Sequence, residues 1–495
     1  MEPLGTVAVA LLLVLVATGL VARWQKGQRE RGHPPGPPAL PLLGNLLQLR
    51  AADTCRVFRE LSETYGPVFS LRLGSTPAVV VLGYELLREV LVTRGEEFAR
   101  RGRFPLAEKS SGDRGIFMSS GERWAQTRRF ALSTLRDLGL GRRGLEEQIQ
   151  EETELLLEEL RRTKGQPFNP ALLLSAAVGN AICRILLGRR FAYGDAEYRQ
   201  VLQRMAQNFH LESSSAGQLY NLLPGLMELL PGPHQTFFRN NAFIQDFLAR
   251  KVAEHEATLH LVEEPRDFVD AFLRRMEQEK GTAGTAFGRD NLHPTLFDLF
   301  IAGTESTSIT LRYCLLLLLE HPEVAGKVGQ ELERVVGWER PPALRDRGAM
   351  PYTEAFLHEA QRYLDLVPLG FIRTVTRDTP LGGYILPKGC TIYPVLSSAL
   401  RDPRFFKNPE TFDPGHFLDE KGGFKKSEAF LPFSAGKRMC LGESLARTQL
   451  FLFLTAILQR FQLRRPPGAP PFRPAPQVIG IMNIPRPFEV CFCPR

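Results

Sequence analysis

The sequence predicts one large, mainly α-helical body with small β-sheet elements, preceded by one N-terminal membrane-spanning helix. Three observations carry this. Apolar residues recur at helical spacing over several long stretches, strand-like runs are short and bounded by Gly and Pro, and residues 4–22 hold no charged side chain.

That first stretch would make a helix about 28 Å long, enough to cross the hydrocarbon core of a bilayer. Only Glu2 precedes it, whereas Arg23, Lys26, Arg29 and Arg31 follow. The positive-inside rule then keeps the remainder cytoplasmic, with Trp24 at the interface. A cleaved signal peptide would want a basic start and a shorter apolar core. Pro34-Pro35-Gly36-Pro37-Pro38 cannot continue a helix and reads as a stiff spacer. The expected organisation is an anchor over 1–22, a basic and proline-rich linker over 23–38, and a globular body over 39–495.

Within the body, Val68–Leu73 and Ala78–Leu82 flank Gly74-Ser75-Thr76-Pro77 as a β-hairpin. Helical patterning covers 124–138, 146–162, 171–187 and 237–257. A Gly/Thr loop at 281–285 precedes a long apolar helix expected from Pro294 to Leu319. Another helix runs from Tyr352 to Leu364, a β-rich stretch covers 381–395, and a last long helix spans 442–461.

Composition narrows the class of function. Seven scattered cysteines suit buried thiols in a reducing compartment, not a disulfide framework. The absence of an Asn-x-Ser/Thr sequon agrees with a cytoplasmic body. A net charge of +8 suits a membrane surface or an acidic protein partner, but no zinc-knuckle spacing or basic tract points to nucleic acid.

Two motif matches fail on context. Gly139-Leu140-Gly141-Arg142-Arg143-Gly144 spells a dinucleotide fingerprint, yet it follows a helical stretch where a buried strand is required. His358-Glu359 opens like a zinc-protease helix, but Arg362 stands where the second histidine ligand would be.

The segment Phe433-Ser434-Ala435-Gly436-Lys437-Arg438-Met439-Cys440-Leu441-Gly442 has a joint chemical sense. A cysteine at a helix N-terminus has its thiolate stabilised by free amides and the macrodipole. Gly436 permits a turn that aims amides at the sulfur, and Gly442 lets a flat cofactor approach. Arg438 can pair with a carboxylate of that cofactor, and Phe433 can shield the sulfur.

The segment resembles the haem-binding signature Phe-x-x-Gly-x-Arg-x-Cys-x-Gly of the cytochrome P-450 family. Further matches extend the resemblance over nearly the whole chain. Glu359 and Arg362 resemble the family's Glu-x-x-Arg pair, with His416 as its third, structural member. Trp124 and Arg128 resemble its propionate-binding pair. Ala302-Gly303-Thr304-Glu305-Ser306-Thr307 resembles its oxygen-activation stretch. Segments such as Gly121-Glu122-Arg123-Trp124 and Met350-Pro351-Tyr352-Thr353-Glu354 are most similar to vertebrate microsomal family-two enzymes.

The resemblance implies a triangular-prism fold holding haem b, with Cys440 as proximal iron ligand and Ala302 against the cofactor. It also implies monooxygenation of a lipophilic small molecule, with electrons from NADPH through NADPH–cytochrome P-450 reductase, cytochrome b5 as a further partner, and an endoplasmic-reticulum membrane location. Trp124, Arg128, Arg373 and Arg438 are expected to neutralise the propionates, and Glu305 with Ser306 to relay protons. The family's usual alcohol there is threonine, so Ser306 departs from the pattern. Thr307 remains an alternative relay, though spacing from Ala302-Gly303 favours Ser306. Mid-helix glycine at 303 is costly unless the helix opens for a ligand.

Phe104, Phe117, Phe297, Ile301, Val367, Leu369 and Ile481 are the expected substrate-lining residues, apolar as such a pocket requires. Lys437, Arg438 and Arg129 lie in segments expected to face the reductase. Residues 222–230 with Phe237 and Phe238 are expected at the membrane or in the core. Two other activities stay open: a reductase-independent isomerase or dehydratase of oxygenated lipids, and a non-catalytic haem sensor or carrier.

Overall fold

The computed structural model describes residues 33–495, apart from 41–42, 50–52, 75, 139–142, 473–475 and 479–480. The expected anchor and most of the linker lie outside the described residues, as does most of the Gly139–Gly144 loop. No described helix is long and apolar enough to cross a membrane.

The longest described helix, Arg289–Glu320, runs through the middle of the main hydrophobic core. It begins five residues before the expected start because Pro294 sits inside it instead of opening it. Its neighbour Ala171–Leu187 is buried almost all round. The two helices approach closely through small residues. A Cβ on Gly303 would lie 2.7 Å from Ile182 Cδ1, and one on Gly179 would lie 3.0 Å from Thr304 Cγ2. The helix is unbroken at Gly303, and glycine there makes room for the Ile182 side chain at the helix crossing.

The hairpin pairs Val68–Leu73 with Thr76–Val81, Val68 opposite Val81. It extends into a five-stranded sheet through Thr391–Pro394, then Arg373–Thr374, then Arg100–Arg101 at the far edge. Only the Thr76–Val81 to Thr391–Pro394 pairing is parallel. The last pairing sets Arg101 directly opposite Arg373. Like charges facing across strands are destabilising, so this edge needs a partner for its charge.

The helix Pro351–Leu364 packs beside the central helix and carries Glu359 and Arg362 inward, both with fully buried side chains. Arg362 Nε and Nη2 each bond Glu359 at 2.7 Å. The guanidinium also donates to the carbonyls of Leu400, Pro409 and Thr411 at 2.7–3.0 Å. Glu359 in turn accepts the Asp413 amide at 2.9 Å and meets His416 Nδ1 at 3.2 Å. Burial opposes charging of His416, but Glu359 and the Lys407 carbonyl raise its pKa. The pair therefore clamps the irregular segment 400–417 onto the helix. His358 on the same helix is buried, bonded to the Glu354 carbonyl and to Arg447.

Candidate active site

A cavity of about 420 Å³ lies between the central helix and the loop that ends in Cys440. Ile301, Ala302, Gly303, Ser306 and Thr307 line it from the helix, and residues 432–434 and 438–442 from the loop. All seven cysteines are free thiols, and Cys440 alone is exposed; its exposure is to this cavity.

The loop is shaped by one glycine. Gly436 has φ +67°, and a Cβ there would sit 1.7 Å from the Leu91 carbonyl oxygen. The Cys440 amide donates to the Phe433 carbonyl at 2.9 Å, closing the loop before the helix Glu443–Arg460. The backbone amides of Gly442 and Glu443 pull the sulfur's pKa down, in the direction the sequence suggested. Burial nonetheless pushes the thiol up, outweighing those amides and Arg128. The helix terminus thus pulls toward the thiolate, and burial outweighs it in the chain alone. A bound cation is what would deprotonate this sulfur. Arg447 sits 5.1 Å from the Phe433 ring centroid, bracing the shield over the loop. Nothing lies within 4 Å of a Cβ built on Gly442, so no protein packing demands glycine there.

Four arginines converge on the cavity: Arg101, Arg128, Arg373 and Arg438. Arg438 lies 3.9 Å over the Trp124 ring and donates to the carbonyls of Ala99 and Ser119 at 2.9 and 2.6 Å. Arg128 Nη2 donates to the Met439 carbonyl at 2.6 Å. Arg101 Nε donates to the Phe117 carbonyl at 2.9 Å. Burial, then the mutual repulsion of the cluster, lowers Arg101 well below its ordinary value. The same causes bring Arg438 to about 9, and burial with Arg128 brings Arg373 to about 10. Arg101 Nη1, Arg373 Nε and Trp124 Nε1 are buried without partners. Unsatisfied buried donors around uncompensated cations call for an anion. A flat ligand with two carboxylates, seated over a thiol and against Gly442, satisfies every one of these features. Haem has that constitution.

Residues 34–492 match the family model described as Cytochrome P-450. The chain belongs to the cytochrome P-450 family. It is 46% identical to human cytochrome P-450 2C8 over 494 residues, covering all of both chains. Cytochrome P-450 2C20 of Macaca fascicularis is 46% identical over 486 residues, 98% of this chain and 99% of that one. Cytochrome P-450 2H1 of Gallus gallus is 45% identical over 485 residues, 98% of each. This cytochrome P-450 is accordingly an oxidoreductase of the monooxygenase type with a haem cofactor, and its likeness is to vertebrate family-two members.

On the distal side of this P-450, Ser306 and Thr307 line the cavity, and Ser306 Oγ donates to the Ala302 carbonyl at 2.7 Å. Glu305 does not line it. Its side chain is buried on the far side of the helix near Ser175 and Arg312, with Oε1 unpartnered. Burial pushes this carboxyl up to about 7 against the pull of Arg312 and Ser175.

Of the expected apolar lining, Phe117, Phe297, Ile301, Val367 and Ile481 are on the wall. Phe104 stands behind Phe117, ring centroids 6.4 Å apart, and Leu369 packs in a separate cluster with Phe58 and Tyr393. Arg438 is corrected as a reductase-facing residue: its guanidinium is turned inward and buried, whereas Lys437 and Arg129 are exposed. Within the 222–230 stretch Leu223, Leu226, Leu229 and Leu230 are exposed, while Phe237 is buried with Leu106, Tyr220 and Met227.

Two wall residues had no signal in the sequence reading. Arg101 lies in a run, Arg100-Arg101-Gly102-Arg103, that reads as solvated charge; only the strand pairing turns it inward. Asp298 lies one turn before Ala302 on the central helix. Its Oδ2 accepts the amides of Ile116 and Phe117 at 2.8 Å each, and burial pushes it up to about 7.

Proposed function

We propose that this protein inserts one oxygen atom of dioxygen into a lipophilic small molecule of the xenobiotic, fatty acid or steroid class. Electrons would come from NADPH through NADPH–cytochrome P-450 reductase, with cytochrome b5 as a further donor. The protein would be held at the endoplasmic-reticulum membrane by residues 1–22, with the catalytic body in the cytoplasm. The observation that carries this reading is a largely apolar chamber with a thiol on one side and a hydroxyl-bearing helix face on the other.

Haem, when bound, supplies the redox chemistry that splits dioxygen. The residues of the chain divide the remaining work. Cys440 would ligate iron; a thiolate there favours O–O cleavage. Arg101, Arg128, Arg373 and Arg438 with Trp124 Nε1 would hold the carboxylates, and Phe433 would keep water from the sulfur. Phe117, Phe297, Ile301, Val367 and Ile481 would bind substrate by excluding water. Ser306 is within one side-chain rotation of releasing its bond to the Ala302 carbonyl and presenting its hydroxyl to the cavity. Glu305, raised to about 7, can take up and release a proton near neutrality. It would reach the cavity only by turning past Ser306, so proton delivery requires side-chain movement.

The test is reconstitution with reductase, NADPH and labelled dioxygen against a panel of lipophilic compounds. Label in a product that depends on NADPH supports the reading. Product formed without oxygen and reductant would favour an isomerase or dehydratase, and no NADPH use with any compound a sensor or carrier. Cys440→His should retain haem at best and lose the thiolate-type carbon monoxide spectrum.

A further inference from the structure

His358, excluded as a zinc ligand, precedes Glu359 directly and has its ring buried among Phe417, Phe424 and Phe430, centroids 4.6–5.4 Å away. Its partners fix its tautomer. Arg447 can only donate, and its Nη1 meets Nε2 at 2.6 Å, so Nε2 is the acceptor. The ring proton is then on Nδ1, which donates to the Glu354 carbonyl at 2.8 Å. Burial, then Arg447, brings the imidazole down to about 4, so it is a neutral acceptor near pH 7. His358 does not line the cavity, and it takes no part in clamping segment 400–417.

Arg447 carries this contact to the thiol loop. Its Nε and Nη2 each lie 2.9 Å from Glu443 Oε1, and its guanidinium stands 5.5 and 5.1 Å from the ring centroids of Phe430 and Phe433. Glu443 is three residues beyond Cys440. Besides burial, its carboxylate pushes the Cys440 thiol up. A carboxylate matched by a guanidinium acts more weakly on a third group than a bare one, and the difference is large where water is scarce. Without His358, Arg447 Nη1 would have only aromatic carbon before it and would turn to water, drawing its charge away from Glu443.

We propose that His358 is a positioning residue: by accepting from Arg447 it keeps that cation on Glu443, and so sets the field at Cys440 and the reduction potential of the iron. The inference rests on the reading of Cys440 as the iron ligand. Reduction adds one negative charge beside the sulfur. An unmatched Glu443 carboxylate opposes that addition, so loss of the His358 contact lowers the potential.

The experiment is a dye-mediated reductive titration of the full-length, haem-loaded protein. In His358→Leu the ferrous-to-ferric ratio at a fixed solution potential should fall roughly three- to tenfold. His358→Gln still offers Arg447 an oxygen and should keep most of the wild-type ratio. In a Glu443→Gln background the fall caused by His358→Leu should vanish, an interdependence that lost packing alone does not produce. Arg447→Gln should reproduce the fall, and it decides the matter if His358→Leu gives no haem-loaded protein. A ratio unchanged or raised in these variants overturns the proposal, as does an equal fall in His358→Gln or a fall that persists with Glu443→Gln. A wild type without the thiolate-type carbon monoxide spectrum would overturn the reading of Cys440, and this inference with it.

Discussion

Replacing Arg101 by glutamine should act with opposite sign on the haem-free and haem-loaded protein. In the chain alone, Arg101 is a desolvated cation with Nη1 unpartnered, set across a strand pair from Arg373. An unsatisfied buried charged donor costs about 1–3 kcal/mol. The like charges of Arg373, Arg438 and Arg128 add on the order of 2 kcal/mol at an effective dielectric near 20. Against this, the variant loses the Nε bond to Phe117, about 1 kcal/mol. It also loses contacts with the rings of Phe117 and Phe371, each centroid 5.3 Å away, together worth about 1 kcal/mol. The haem-free protein should therefore gain on the order of 1–3 kcal/mol. With haem bound, one charge-assisted bond is lost, about 1.5–3 kcal/mol, so haem should leave roughly ten to a hundred times faster. Thermal midpoints of both forms and haem transfer to apomyoglobin measure the two effects. If Arg101→Gln destabilised both forms alike and left the transfer rate unchanged, Arg101 would be a structural residue and the anion argument would fail.

Arg362→Lys keeps the charge but cannot bond Glu359 through two nitrogens and also reach three carbonyls; a loss of about 3 kcal/mol or more is expected in thermal or urea unfolding. Gly436→Ala must move its Cβ away from the Leu91 carbonyl and adopt a left-handed backbone, so haem-loaded yield should collapse. Gly442→Ala meets no protein atom, so it should leave the haem-free fold intact and lower haem retention alone. Glu305 has a folded pKa of about 7 against an ordinary carboxylate value of 4.5. The stability tied to its proton is thus complete below about pH 4.5 and lost as pH rises to about 7, by roughly 3 kcal/mol. Glu305→Gln should remove that share of the slope in a pH series of melts; Glu212 and Asp298 contribute in the same direction.

The parts of the site that were legible from sequence are those set by local spacing. Gly436, Arg438, Cys440 and Gly442 lie within one loop, and Glu359 and Arg362 within one helical turn, so chain order alone brings them together. The helices were legible for the same reason, with ends misjudged where proline was read as a terminus, as at Pro294. What was not legible depended on tertiary contact. Arg101 turns inward only because its strand meets Arg373, some 270 residues away. Gly303 was read as a point of opening because a sequence does not show that Ile182 crosses there. Arg438 and Arg129 are both basic residues near the haem-side loop or helix, and only burial separates an inward anion ligand from an outward solvated one.

The close crossing at Gly179 and Gly303 bears on how such a protein can diversify. A Cβ at either position meets a neighbouring side chain at 3.0 Å or less, so substitutions there must displace that side chain or the helix that bears it. The wall carrying Ala302 and Ser306 is therefore a fixed datum against which other surfaces vary. Heritable change in substrate range is left to the residues facing it, those of 107–118, 205–212 and 366–371, where, apart from Phe117 and Phe371 against Arg101, one side chain can be exchanged with less disturbance.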